Sequence, residues 1–205
     1  MDAACGVRSA GYANIVSMLP TRETTRLSGF DYSQPGAYFV TVCAHQGAML
    51  FGSVNKGIFR ATPLGFLLQD LWHKLPLHHG NVATDVFQAM PNHVHGVIFI
   101  RSPKAGDLKP PAKSLGTIVG GYKSAVSREA GRLGIGGGRI WHPRFHDHVI
   151  RHEGALDRVR EYIVNNPLKW SLDRENPGRT GINEFYGWME SYTRCLGEST
   201  AEDKA

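Results

Sequence analysis

Residues 89–100, Ala-Met-Pro-Asn-His-Val-His-Gly-Val-Ile-Phe-Ile, leave the chain few options. A Pro-Asn turn opens the run. Val94, Val97, Ile98, Phe99 and Ile100 are β-branched or aromatic, which predicts a buried strand. Residues i and i+2 of a strand share a face, so His93 and His95 project together while Val94 turns into the core. Two imidazoles side by side at a strand's start are a ready pair of ligands for a divalent metal. They fit equally well as two unrelated half-buried histidines. A second element has to decide.

The rest of the chain supplies a frame for that strand. Residues 37–44 follow a Pro-Gly turn and read as a strand; 51–55 and 57–60 read as a weaker hairpin. Thr62-Pro63 opens a helix with Leu64, Leu67, Leu68, Leu71, Trp72 and Leu75 on one face, and Pro76 ends it. Residues 82–88 form a strand that meets the histidine strand across the turn. After a proline-bearing loop at 101–113 comes a helix over 114–133, with Leu115, Ile118, Val119, Tyr122 and Val126 on one side. The glycines at 134–138 lack the strand-then-helix context of a phosphate loop. Residues 140–151 run extended, with Phe145, Asp147 and Val149 opposite His146, His148 and Ile150. A helix over 153–166 is stopped by Pro167. Antiparallel neighbours and interspersed helices predict an α+β sandwich, with the helices packed on one face of the sheet. Residues 1–28 read as an N-terminal extension, 29–170 as the domain, and 171–205 as a tail that wraps back or frays.

Bulk properties narrow the partner more than the fold. A length of 205 residues suits one domain with a real core, and 41% hydrophobic with 20% charged residues is ordinary for a soluble protein. The formal net charge of +5 favours a polyanionic partner. Cys5, Cys43 and Cys195 form no C-x-x-C pair, which argues against a disulfide framework or a zinc ribbon and for a reducing compartment. No apolar run reaches the length of a membrane span and no signal pattern opens the chain, so the expectation is a cytoplasmic protein.

The helix at 153–166 offers the second element. Tyr162 and Asn166 are i and i+4 and therefore neighbours on one face, beside a core stripe of Leu156, Val159 and Ile163. Tyr162 fits a core-edge tyrosine with a capped hydroxyl. Next to a metal, however, a phenol can attack a phosphodiester, and Asn166 would offer a neutral oxygen one turn away. Lys123, Arg144, Arg151 and Arg158, with Arg160 and Lys169, fall around the same elements and are candidates to track a phosphate backbone; each also fits a solvated surface charge. Asp147 and His148 either support the site or serve packing, and packing is preferred.

Met90-Pro91-Asn92-His93-Val94-His95 resembles the His-hydrophobic-His signature of HUH single-tyrosine transposases. Residues 38–42, 141–151 and 162–167 (Tyr-Ile-Val-Asn-Asn-Pro) together resemble the REP-associated tyrosine transposases of that group. The resemblance spans roughly residues 22–170 in the right order. It implies a ferredoxin-like α/β sandwich whose antiparallel sheet carries the histidines and whose C-terminal helix carries the tyrosine. His93 and His95 would bind Mg2+ or Mn2+, with Asn166 as third protein ligand. Tyr162 would attack single-stranded DNA, leaving a 5′-phosphotyrosine link and a free 3′-hydroxyl. Tyr122 is a rival nucleophile, set behind because its helix face reads as core and because the family's tyrosine precedes the Asn-Pro pair. The basic segment from Arg22 to Arg26 resembles the family's N-terminal approach to a DNA hairpin. The implied partners are single-stranded DNA hairpins (repetitive extragenic palindromes), met by a monomer or homodimer that associates with the nucleoid when bound. Two other readings stand beside this one: a non-catalytic DNA or RNA hairpin-binding protein on the same fold, and a hydrolytic metallo-phosphodiesterase with no covalent intermediate.

Overall fold

The computed structural model describes residues 29–102 and 113–202. In chain order these form β1 (Gly36–Cys43), the hairpin strands β2 (Gly52–Asn55) and β3 (Ile58–Ala61), α1 (Pro63–His73) and the single turn α2 (Leu75–His78). β4 (Val82–Ala89), β5 (His93–Ile100), α3 (Leu115–Leu133), β6 (His146–Ile150), α4 (Glu153–Asn165) and α5 (Glu184–Glu202) follow. The main sheet has the order β4-β5-β1-β6, and each neighbouring pair is antiparallel. With the hairpin set aside, β1-α1-β4-β5-α3-β6 is the β-α-β-β-α-β arrangement of a ferredoxin-like sandwich. The expected α+β class holds.

Element ends follow local chemistry. The Thr62 hydroxyl accepts the Gly65 N–H at 3.1 Å and Pro63 takes the first helical position, so α1 starts where the sequence puts it. It ends at His73, and Pro76 is not its stop but part of the first turn of α2. Ser114 caps α3, and Gly134 ends it in the left-handed conformation (φ 66°) that glycine adopts without strain. Of the extended 140–151 segment only His146–Ile150 joins the ladder; Trp141 touches Ala44 through an isolated bridge.

The helices divide between the two faces of the sheet, whereas the sequence reading placed them on one. Tyr38, Val40, Val42, Val94 and Ile98 pack against α1 and α3, with Trp72 and Tyr122 at the centre. Phe39, Val97 and Ile150 turn the other way, onto α4 and α5. The reason lies in β1 and β5: both are buried on both faces, so a single covered face would leave Phe39 and Val97 in water. The stretch 171–205 takes part in this second core through Phe185 and Met189. The expected extension at 1–28 lies outside the described residues. Among the described residues no helix is long and apolar enough to cross a membrane.

The sheet and α1 meet closely at Gly96 on β5. A methyl group there would run into the indole of Trp72, which is fully buried and held edge-on to Tyr122. Gly96→Ala is expected to cost about 2 kcal/mol and Gly96→Val more, because neither the ring nor the strand has room to yield. Urea unfolding midpoints of the two variants check this.

Candidate active site

The turn ahead of β5 fixes the first histidine. Asn92 gives both its amide hydrogens to carbonyls, at 2.7 Å to Glu175 and 3.4 Å to Gly47, so its Oδ1 faces His93 Nδ1 at 2.9 Å as an acceptor. His93 therefore carries its proton on Nδ1 and presents a lone pair at Nε2. On the next same-facing position, His95 Nδ1 shares a hydrogen bond of 2.9 Å with the Thr41 hydroxyl of β1. Both rings are thus held from behind, in the manner of metal-ligating histidines.

Their Nε2 atoms converge at 2.9 Å, and Asp173 Oδ2 stands 3.8 and 3.9 Å from them. Among the described residues, these three side chains form a group that could hold a metal ion, and all are buried. A point equidistant from the three atoms lies roughly 2 Å from each, the usual bond length for Mg2+. Burial, reinforced by His95, lowers the His93 pKa to about 3, which keeps the imidazole neutral. Burial opposes ionisation of Asp173, but the two imidazoles and Asn166 outweigh it and hold the carboxyl below the usual range. Two imidazole nitrogens and a carboxylate fit a divalent cation.

α4 delivers the phenol. Tyr162 Oη lies 3.1 Å from His95 Nε2, 3.3 Å from Asp173 Oδ2 and 2.6 Å from the hydroxyl of Tyr186. Its ring stacks on Phe185 at 3.7 Å, with Phe39 edge-on at 6.0 Å. Burial above all, then Tyr186 and Asp173, raises its pKa well beyond that of a free tyrosine, so the hydroxyl keeps its proton. Asn166 caps α4 and donates from Nδ2 to Asp173 Oδ2 at 2.9 Å, while its own Oδ1 is buried with no hydrogen-bond partner.

A ferredoxin-like sheet with a His–His–carboxylate group facing a helix-borne tyrosine defines the kind of protein this is. The chain belongs to the same family as a Haemophilus influenzae protein described as uncharacterized, with 30% identity over 166 residues, 75% of this chain and 92% of that one. No protein-family model matches it. Two solved structures are similar to it at lower identity. One is a REP-associated tyrosine transposase bound to a REP hairpin (20% identity, TM-score 0.48, 68% of this chain and 70% of that one). The other, from Deinococcus radiodurans, is assigned as a transposase (16% identity, TM-score 0.42, 67% of this chain and 95% of that one).

The expected residues fall in different places. His93, His95, Tyr162 and Asn166 come together. Tyr122, the rival nucleophile, is buried on the opposite face, where its hydroxyl donates to the Leu68 carbonyl at 3.0 Å. Arg158 and Lys169 line a cavity of about 600 Å³ alongside Tyr162, and the Arg158 guanidinium also sits 4.6 Å over the Trp188 ring. Lys123 lies on α3 and donates to the carbonyls of His142 and Pro143. Arg144 and Arg151 are exposed at the two ends of β6. Arg160 is engaged with Asp85, Asp157 and Glu153. Arg22 and Arg26 lie outside the described residues. Asp173 and Tyr186 were missed, since a lone Asp in Trp-Ser-Leu-Asp has no ligand spacing to betray it. The apolar stripe Phe185, Trp188, Met189, Tyr192 was the available sign that this stretch folds back.

His148 stacks on Phe39 (6.1 Å, 16°), and its Nδ1 shares a 3.0 Å hydrogen bond with Thr193. Burial first, then Arg174 and His146, brings its pKa down to about 4. The folded protein thus binds this proton less readily than the unfolded chain, whose histidines titrate near ~6.5. The associated stability is complete above that value and is lost as pH falls through about 4. Denaturation midpoints are expected to drop on acidification across this range by the equivalent of roughly 2–3 kcal/mol from His148. His148→Phe, which keeps the stack and removes the titration, should show a shallower decline.

Proposed function

We propose that the protein is a metal-dependent DNA strand transferase that cuts and rejoins single-stranded DNA beside palindromic hairpins through a 5′-phosphotyrosine intermediate. The observation that carries this reading is the Tyr162 hydroxyl standing 3.1 Å from His95 Nε2 and 3.3 Å from Asp173 Oδ2. His93, His95 and Asp173 are the protein ligands in this reading. The unpartnered Asn166 Oδ1 is the next oxygen at hand, while Asn166 Nδ2 orients the carboxylate. His93, His95 and Asp173 would hold a divalent cation, which would polarise the phosphodiester and favour the phenolate.

In the reaction, Tyr162 Oη forms a bond to phosphorus and the bond to the 3′-oxygen breaks. The link keeps the phosphoester intact, so a 3′-hydroxyl can later reverse the step without an external energy source. The Phe185 stack and the Phe39 edge fix the plane of the attacking ring. Arg158 and Lys169, beside Tyr162, are placed to receive the phosphates of the strand. The hairpin substrate rests on the sequence resemblance, and a REP hairpin, held by the structurally similar transposase, is the substrate to try first.

The test uses 3′-labelled single-stranded hairpin DNA with Mn2+ or EDTA, resolved on a denaturing gel. The expected result is a protein–DNA band that requires the metal, carries DNA on the Tyr162 peptide, and falls by roughly tenfold or more in Tyr162→Phe. Mn2+ should also raise the melting temperature of the protein, and Asp173→Ala should abolish that rise. Hairpins bound without any covalent band would instead establish the binding-module reading, and cleavage undiminished in Tyr162→Phe the hydrolytic one.

A further inference from the structure

The hairpin β2–β3 forms a sheet of its own, and between β3 and the outer strand β4 of the main sheet lies a cavity of about 470 Å³ with α1 on its third side. Phe59 and Arg60 line it from β3, Phe66 and Gln69 from α1, and Phe87 and Gln88 from β4. A lone exposed phenylalanine needs no explanation. Phe66 is different. It is 65% exposed, the one aromatic ring among the large exposed apolar side chains of the described residues, and it belongs to neither core. Helical spacing groups it with Gln69 (i, i+3), off the stripe of Leu64, Leu68 and Trp72 that α1 buries. Phe87 is set from behind by Trp72, whose ring stands 5.1 Å away. Arg60 is exposed, and no carboxylate lines the cavity among the described residues. Aromatic faces, amide edges and a guanidinium with no opposing acid are the complement of an unpaired nucleobase and its phosphate.

The cavity adjoins the candidate centre. Gln88 stands directly opposite His95 in the β4–β5 ladder and so shares that histidine's face of the sheet, with the two backbones roughly 5 Å apart. Ala89, also at the cavity wall, leads straight into the Met90-Pro91-Asn92 turn. Gln88 Nε2 donates to the Ala89 carbonyl at 2.7 Å, which orients the amide and leaves its Oε1 and one N–H for another partner. From this arrangement we infer that the cavity is a base-binding subsite. It takes one unpaired base of the DNA strand, stacked on Phe66, with the amides of Gln69 and Gln88 at the polar edge of the base and Arg60 at its phosphate. The inference rests on the strand-transfer reading above and gives the strand a second point of attachment, a few nucleotides from the reacting phosphate. A base held here sets the register of the strand, and with it which phosphate reaches Tyr162.

Photocrosslinking locates the base. The full-length protein is mixed in EDTA with hairpin DNA that carries iodouracil at one single-stranded flanking position at a time, irradiated, and mapped by mass spectrometry. The expected result is one position that crosslinks to the peptide of Phe59 or Phe66. An abasic site at that position should weaken binding, read by fluorescence anisotropy, by roughly fivefold or more, and Phe66→Ala should weaken binding of the intact strand by a similar factor. Against the abasic strand Phe66→Ala should change nothing further, a pattern that a damaged fold would not produce. Absence of any crosslink to these peptides, or a Phe66→Ala loss that persists on the abasic strand, would overturn the subsite. The covalent Tyr162 band in Mn2+ is read on the same hairpins. If it forms while the subsite fails, strand transfer stands without it. If the unmodified protein neither binds a hairpin nor forms the band, both readings fall together.

Discussion

Two imidazole nitrogens held 2.9 Å apart inside the protein are the constraint around which this structure is arranged. Lone pairs at that distance repel unless a proton or a cation lies between them, and neither ring can turn away. Asn92 fixes His93 and Thr41 engages His95, and each of these is tied in turn to a separate part of the fold: Asn92 to the Glu175 carbonyl, Thr41 to the centre of β1. The antiparallel register that puts Thr41 opposite His95 is therefore part of the site's chemistry as well as of the sheet. Asp173 answers the pair with a negative charge, and its own burial is tolerable because Tyr162, Tyr186, Asn166 and the Glu175 N–H all donate hydrogen bonds to its carboxylate.

Most of the frame was legible because its signals are local and periodic. Apolar spacing marked α1, α3 and α4, and the Pro-Asn turn followed by β-branched residues marked β5. Tyr162 and Asn166 were found because helical spacing joins them and because the Asn-Pro pair carries the family resemblance. Asp173 and Tyr186 were not legible for the opposite reason. They reach the centre through a segment whose path is set by long-range packing of Phe185 and Met189 on Phe39 and Val97, and no spacing in the sequence encodes that encounter. The second covered face was missed on the same ground: 38–42 (Tyr-Phe-Val-Thr-Val) is dominated by aromatic and β-branched residues, which fits a strand buried on both sides, but the elements that cover its far side, α4 and α5, come late in the chain.

The two faces of the sheet have different duties. On one, Tyr38, Val40, Val42, Trp72 and Tyr122 form a core whose two phenols each donate to a backbone carbonyl, and the Gly96–Trp72 contact locks α1 to β5. On the other, polar atoms gather at one end of a smaller aromatic cluster in which Phe39 touches His95, His148, Tyr162 and Phe185. Phe39 is thus a shared wall for the histidine strand and the Tyr162 ring. Its backbone is held in a strand paired on either side, which gives the reacting groups a support more rigid than any loop.

This division also explains why a phenol so strongly held in its neutral form is a credible nucleophile. Burial raises the pKa of Tyr162 because the site offers the phenolate nothing positive of its own, and Asp173 adds to the penalty. The same carboxylate and the ring nitrogens of His93 and His95 are the donors a divalent cation requires. One set of residues therefore disfavours the charged phenol in isolation and would favour it once a cation is bound, so reactivity is tied to the metal. The guanidinium of Arg158 and the ammonium of Lys169 lie on the cavity side of Tyr162 and are not among the hydrogen-bond partners of its hydroxyl. In the strand-transfer reading they would attract a strand without activating the phenol, which would keep binding and reaction separable.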